Sequence, residues 1–503
     1  MGTTAQKLQA ILDSKADIAA AIQEKGGTVP TKLSGYGDAI RNIPAGTEEH
    51  ADVEFIDYDG RIVNRYTFAE ASALSELPAL PTRTGFTNEG WNYTLQEIKT
   101  AATAGKRVIV GCTYITEDGV TRIYVKIPAD DLTMNINFAQ TTSKSVLFDW
   151  GDGTTDLPNS TTQMVRSHTY SAPGDYVISF TNQKSTPTLM LNWNIGGSGS
   201  VANNQKITDV AIGNIAQIGG SVFSECDNIT AFSIPKDIII NTYCCDGMTH
   251  LQAFILPRSV TAIPNYMFRY CGRITKVSVP ATTTVIGDYV FQGCAFLDDV
   301  RLVNVSTLGQ YDFQYCVHLK SIQMKGVSMI PTYCFNGCGL LESIDATITG
   351  VESHALDGCC SLTSFGTNTI THIGGGTSNF AECVNLVEIG TLAIPAESAN
   401  SNKPTIGQNC FKDCKSLHSI VVAPDDSVER LVISNNAFYQ TGIFIFDFTA
   451  CTQVPELMNI NAFSNTSSDK KIIVPDSLYS TWIVATNWSN SNIVSCIVKE
   501  SEA

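Results

Sequence analysis

The spacing of apolar positions divides the chain into segments of different texture. In residues 1–45, "TTAQKLQAILDSKADIAAAIQEKGG" places Ala5, Leu8, Ile11, Leu12, Ala19 and Ile22 at roughly helical intervals before Gly26 and Gly27 end the pattern, which predicts an amphipathic helix. One such helix cannot bury its own stripe. It needs a second helix, another subunit or a larger assembly to pack on. Over residues 50–127 the strand-like runs "VEFIDYDGRIVNRYTF" and "KRVIVGCTYITEDGVTRIYVKI" flank turn residues and one helical segment, predicting a small β-rich α+β module. Over 128–185 an apolar strand ends at Phe148 in a Gly-Asp-Gly turn, and "APGDY" feeds another alternating strand. That is the grammar of a β-sandwich.

From 205 to 475 the pattern repeats. "VIGDYVFQGCAFL" at 285–297 is followed 22 residues later by "TLGQYDFQYCVHL", with Tyr, Phe and Cys in step. Aligning on Phe-x-x-Cys-x-x-Leu gives units led by Phe223, Cys245, Phe268, Phe291, Phe313, Phe335, Leu356, Phe380 and Phe411, spaced 22, 23, 23, 22, 22, 21, 24 and 31 residues apart. Degenerate units at Phe438 and Phe463 bring the number to eleven. A period in the twenties predicts a leucine-rich-repeat solenoid, in which each coil supplies one short strand and buries its apolar side against its neighbours. Equivalent residues then lie about 4.8 Å apart. An inward Phe stacks on a Phe, and an inward Cys fills a slot too narrow for a larger side chain. The strands that follow the leucine, such as "ITKVSVP" and "LDDVRLV", put Val277 and Val300 inside. Cys245 and Leu356 replace the Phe in two units, and the longest step holds an insertion around "PAESANSNKPT". An open end would expose core and strand, so residues 476–503 are expected to form a cap.

Composition narrows the function. A formal charge of -16 and a pI near 4.8 argue against a nucleic-acid or anionic-membrane surface. No run of apolar residues suits a membrane span, and the first twenty residues hold no apolar stretch of the export type. The sixteen cysteines are therefore expected as free thiols. Cys334/Cys338 and Cys410/Cys414 lack a second ligand pair for zinc, and "DYDG" offers only Asp57 and Asp59 to a calcium ion. His250 and His318 share a repeat phase but stand three coils apart, about 14 Å, too far to share a metal or a proton. No nucleophile elbow, phosphate loop or HExxH motif occurs. No catalytic residue, cofactor or metal is assigned.

Several stretches resemble known families. The repeat register is a close match to the BspA-type leucine-rich repeats, a family of surface-displayed bacterial and phage repeats. "WGDG" at Trp150–Gly153, "HTY" at His168–Tyr170 and "PGDY" at Pro173–Tyr176 resemble the PKD fold. That resemblance implies a spacer in which Asp149, Asp152 and His168 hold turns and core. "KLQAILDSKADIAAAIQEKG" and "GYGDAIRNI" resemble the N-terminal segments of phage and prophage tail and fibre proteins, and "FIDYDG", "LPALPTRTGFTNEGW" and "TEDGVTRIYV" are similar to modules of the same proteins. "VPDSLYSTW" resembles the helical close of repeat arrays.

Two stripes of the solenoid are candidates for receptor binding. Tyr243, Tyr266, Tyr289, Tyr311 and Tyr333 recur two residues before the Phe position; they form either a recognition surface or a packed ladder that closes the coil. The strand face offers Thr275, Lys276, Ser278, Asp298, Asp299, Arg301, Lys320, Ser321, Gln323, Glu342, Ser343 and Asp345. The expected protein is multidomain and mainly β. Its expected role is that of a non-enzymatic phage or prophage virion component, a tail fibre or receptor-binding part made in the host bacterial cytoplasm. Residues 1–45 would dock on other virion proteins and build a homo-oligomer, a trimer by resemblance to fibres, without membrane insertion. The solenoid would bind a bacterial surface protein or glycan. The alternative is a bacterial cell-surface adhesin of the same repeat family.

Overall fold

The computed structural model describes residues 51–191, 195–196, 201–364, 369–373, 376–394, 404–426 and 429–503. The helix expected within 1–45 and the insertion at 395–403 lie outside these residues. Among the described residues no helix is long and apolar enough to cross a membrane.

The chain first builds β1 (Val53–Ile56), β2 (Ile62–Tyr66), α1 (Phe68–Ala73), β3 (Phe86–Trp91), α2 (Leu95–Thr103) and β4 (Val108–Thr116). The strands form one sheet in the order β2-β1-β4-β3. Because β1 and β4 are parallel, the chain between them must cross over, and α1 and α2 lie in that crossover. Each helix opens on a capping box, Thr67 with Glu70 and Thr94 with Glu97, which satisfies two otherwise orphaned backbone donors. Val53, Phe55, Val108 and Val110 pack with Ile98, Ala101 and Ala102 of α2. The alternate positions of β1, Glu54 and Ile56, are buried as well, so the sheet is covered on both faces.

Next come β5 (Thr121–Ile127), β6 (Thr133–Gln140), β7 (Val146–Asp149), β8 (Thr155–Asp156), β9 (Met164–Thr169), β10 (Gly174–Asn182), β11 (Leu189–Leu191), β12 (Ile207–Ala211) and β13 (Gln217–Ile218). They form two sheets, β12-β5-β10-β7-β8 and β13-β11-β6-β9. Phe138 of one sheet meets Phe148 and Phe180 of the other at ring-centroid distances of 5.2 and 5.1 Å. The Gly-Asp-Gly turn is held locally. Asp149 accepts from the Gly151 N–H at 2.8 Å and Asp152 from Thr154 at 3.0 Å. The His168 Nε2 lies 2.7 Å from Asp152, and its ring stacks on Trp150. β12 and β13 complete these sheets immediately before the first coil. Ile218 then bridges in parallel to Ile240, so one hydrophobic cluster runs from Ile123 to Ile497.

Each coil is tied to the next by backbone bonds on alternate residues. Tyr266, Phe268 and Tyr270 donate to the carbonyls of Asp288, Val290 and Gln292 at 2.9, 3.0 and 2.7 Å, and Tyr289, Phe291 and Gly293 repeat the trio one coil on. The geometry needs two left-handed residues per coil, one two places before the Phe and one two places after it. Tyr266, Tyr270, Tyr289 and Gly293 have φ of 63°, 60°, 61° and 73°. The inward rings stack: Phe268, Phe291, Phe313 and Phe335 follow at 5.6, 5.3 and 5.3 Å. Where Cys245 replaces the Phe, Phe232 and Phe254 fill the volume, linking Phe223 to Phe268 through ring contacts of 5.0, 5.2 and 5.1 Å.

The inward cysteines do more than fill a slot. The Cys294, Cys316 and Cys338 thiols each donate to the carbonyl at the Phe position of the preceding coil, at 3.1, 3.1 and 2.9 Å. At the far end Trp482 and Trp488 are buried over Phe448 and Phe463, and the Trp488 indole donates to the Pro455 carbonyl at 2.8 Å. The closing helices, Tyr479–Trp482 and Ser491–Val494, are single turns. A terminal strand, Ile497–Lys499, extends the coil sheet. The cap is therefore less helical than expected, and two buried indoles pack on the last coils together with Ile493 and Ile497.

All sixteen cysteines are free, and only Cys360 and Cys496 are not buried. Burial pushes the inward thiols of Cys294, Cys316 and Cys338 up, and Cys112 to about 12, so they stay protonated and able to donate. A thiol reagent should modify two groups in the native chain and all sixteen in denaturant. More than two fast-reacting thiols would contradict the buried S–H to carbonyl arrangement.

Candidate binding surface

The five tyrosines form a continuous ladder. Centroid spacings from Tyr243 to Tyr333 are 4.3, 4.7, 4.5 and 4.7 Å with interplanar angles of 5° to 9°, and His354 adds a sixth ring at 4.5 Å. Each tyrosine is half-buried and occupies the first left-handed position of its coil. Such a backbone costs a non-glycine residue about 1–2 kcal/mol, and stacking offsets roughly 0.5–1.5 kcal/mol per pair. Partial burial first, and the adjacent phenols second, push Tyr243, Tyr289 and Tyr333 upward. Their ring faces are stacked on one another, with the Arg269 guanidinium 4.9 Å from the Tyr266 ring centre.

The strand face is divided. Residues 233–325 carry the α+β module on it, through the sheet face that holds Glu54, Ile56 and Ile109. Asn92 Nδ2 donates to the Leu256 carbonyl and to Ser278 Oγ, each at 2.9 Å. Tyr93 donates to the Val279 carbonyl, Ser278 Oγ to that of Ile109 at 2.6 Å, and Lys106 Nζ to that of Val303 at 2.6 Å. Ile56 and Ile109 pack on Ile255, and a Cβ at Gly111 would fall 2.5 Å from the Ile255 side chain. Only glycine lets β4 approach so closely.

At the centre of this contact lies a buried ionic group. Arg301 sits 2.6 Å from Asp299 and 3.6 Å from Glu54, and Lys276 sits 3.0 Å from Glu54. Arg301 Nη1 also donates to the Val108 and Asp52 carbonyls at 2.9 and 3.2 Å. Arg301 and Asp299 are 1% and 2% exposed. As receptor contacts they are therefore corrected, because the chain's own module covers them, with Arg301 paired to Asp299 and to Glu54 of the module. Ser278 is buried in the same way, and Gln323 accepts from the Arg107 N–H at 2.7 Å while donating to Asp345 at 2.6 Å. Asp298 is half-buried; Lys320, Glu342, Ser343 and Asp345 are exposed. Periodicity had flagged Arg301 only as an outward residue. Its partners in the module, Glu54, Asp52 and Val108, lie some 190 to 250 positions away, and no local pattern announces them.

Among the described residues no three His, Cys, Asp or Glu side chains converge as metal ligands. The family described as BspA type leucine rich repeat region matches in six copies over residues 179–274, 261–387 and 376–501. The chain belongs to that family. No individually curated protein matches it. Among solved structures, a leucine rich cell surface protein from Faecalibacterium prausnitzii A2-165 is similar at 20% identity over 53% of this chain and 71% of that one, with a TM-score of 0.31. A leucine rich repeat protein from T. pallidum is 18% identical over 40% and 83%, with a TM-score of 0.27. The pneumococcal vaccine antigen PcpA is 14% identical over 58% and 83%, with a TM-score of 0.24.

Removing one member of a buried ion group strands the others, typically at about 3–5 kcal/mol. Arg301→Ala should therefore loosen the module from the coils, giving a separate early transition in urea and faster proteolysis between residues 74 and 86. Lys320→Ala, at an exposed position, should leave both unchanged. Equal behaviour of the two variants would mean that Arg301 does not hold the contact.

Proposed function

We propose that this BspA-type repeat protein is a non-enzymatic binding protein that presents its solenoid to a bacterial surface. We read it further as a tail-fibre or receptor-binding part of a phage particle, assembled in the host cytoplasm and docked on other virion proteins through residues 1–45. The observation that carries the binding reading is the division of the strand face: the module occupies the coils up to Lys325, while Glu342, Ser343 and Asp345 beyond it are exposed. Such an arrangement suits an attachment end fixed to one part of the solenoid and a recognition end on another. In this reading the sandwich is a PKD-like spacer, since its Asp149, Asp152 and His168 are spent on turn and core contacts. Function by fold likeness alone would be weak; the virion role rests on the N-terminal resemblance. Membership of the repeat family favours a second reading, a bacterial cell-surface adhesin.

Light scattering on the full chain beside a truncation beginning at Gly46 tests the virion reading. A full-length trimer that becomes monomeric on truncation is the expected result. A monomer in both forms would remove self-assembly, and detection of the native product on bacterial cells instead of particles would establish the adhesin.

A further inference from the structure

In the middle coils the second left-handed position carries an alternation that the coil itself does not require: Gly247, Tyr270, Gly293, Tyr315 and Gly337, with Glu225 before them and Gly358, Glu382, Asp413, Gln440 and Asn465 after. Glycine adopts this backbone without strain, whereas a tyrosine there is a steric outlier. At the first left-handed position the strain of tyrosine is offset by stacking. Tyr270 and Tyr315 stand outside that ladder: each is about half exposed, at 51% and 53%, with the Arg269 guanidinium 5.2 Å from the Tyr270 ring centre. No ring–ring contact among the described residues involves either of them. A strained backbone that carries a half-exposed aromatic ring is the kind of outlier from which function is inferred.

The glycines between them complete the arrangement. A Cβ at Gly293 would fall 2.5 Å from Cδ1 of Tyr270, and one at Gly337 would fall 2.6 Å from Cδ1 of Tyr315. Each ring thus leans over the bare backbone of the next coil and stays about half exposed. An amide row in the neighbouring phase fixes these coils in register: Gln292 donates to Gln314 at 2.6 Å, and Gln314 to Asn336 at 2.9 Å. The charged pair beside Tyr270 is neutralised internally, Arg269 on Asp246 at 2.7 Å. The module makes its contacts on the strand face, and none of those hydrogen bonds reaches Tyr270 or Tyr315.

We propose that Tyr270 and Tyr315 form a platform for an extended, uncharged β-linked glycan. They stand two coils apart, about 9.6 Å, in the same orientation relative to their coils. In an extended β-linked chain every second sugar presents the same face, so the repeating unit meets the two rings in phase. The C–H face of a pyranose packs on an aromatic surface, and rings held in advance on rigid coils lose little entropy on binding. This rests on the surface-binding reading above and names the ligand class and the residues for it.

The test uses the full chain with chitohexaose and cellohexaose as probes, maltohexaose as the α-linked control, and calorimetric titration as readout. Tyr270→Gly and Tyr315→Gly place at each site the residue that other coils already use, so both variants should fold with unchanged or higher thermal stability. Each should weaken binding of a β-linked hexasaccharide about threefold to tenfold, and the double variant should abolish it. No binding of either β-linked probe to the parent chain, or equal binding by the double variant, would overturn the platform. Attachment to bacterial cells separates the two readings. Attachment that persists in the double variant keeps the binding function and removes the platform. Attachment lost in the double variant without hexasaccharide binding would replace the glycan by a protein partner, and a parent chain that attaches to no cells would remove the binding function itself.

Discussion

The solenoid depends on a buried carbonyl with two lone pairs to satisfy. At the Phe position of each coil the carbonyl oxygen points into the core. It accepts one bond from the N–H three residues on, as Phe268 does from Cys271 at 3.0 Å. The second acceptor site would be orphaned in an apolar core, at a cost comparable to a lost hydrogen bond. The next coil's cysteine meets that need: Cys294 donates its thiol to Phe268 and Cys316 to Phe291, each at 3.1 Å. Cysteine is small enough for the slot, apolar enough to bury, and still a donor. Toward the C-terminal end Thr441 and Thr466 stand at the cysteine phase and turn their hydroxyls to the carbonyls of Phe438 and Phe463 in their own coils. The donor survives there while its direction changes.

That fixed register makes each coil's volume a shared problem. Close-packed interiors do not absorb a missing ring by collapse alone. When Cys245 withdraws an aromatic ring, Phe232 and Phe254 bring rings inward from the strand side and keep the chain of contacts unbroken. The same logic governs the ends. At the start, β12 and β13 are shared with the sandwich, so the first coil rests on an existing core. At the finish, Trp482 and Trp488 supply in two side chains the cover that another Phe and its strand would have given.

Legibility in the sequence followed the range of the interactions. The solenoid announced itself because each coil repeats the same local bargain, and the Phe, Cys and Leu phases sit inside as their spacing implied. The tyrosine ladder was equally visible as a phase, but its left-handed backbone was not, since tyrosine is among the last residues one would place there. The docking of the module was invisible. Glu54 reads as an ordinary outward residue of β1, and Arg301 as one more polar residue of a strand face. Their charges meet only because β4 crosses the coils, with Gly111 laid against Ile255. Charge pairs between distant segments leave no periodic trace.

The location of the module changes where recognition can occur. A strand face free along its whole length would be the default binding surface of a repeat array, since its outward residues vary while the coil stays constant. Here the N-terminal half of that face is spent on holding the molecule together. A buried ionic group earns little net stability against a well-packed apolar one, but it tolerates few alternative alignments. It therefore fixes the orientation of the module on the coils more than it strengthens the contact. The surfaces that the module leaves uncovered are the strand face beyond Lys325 and the edge where the left-handed residues stand. On that edge the backbone is already strained into shape and held by three hydrogen bonds per coil, so a side chain placed there is presented without further ordering when a partner arrives.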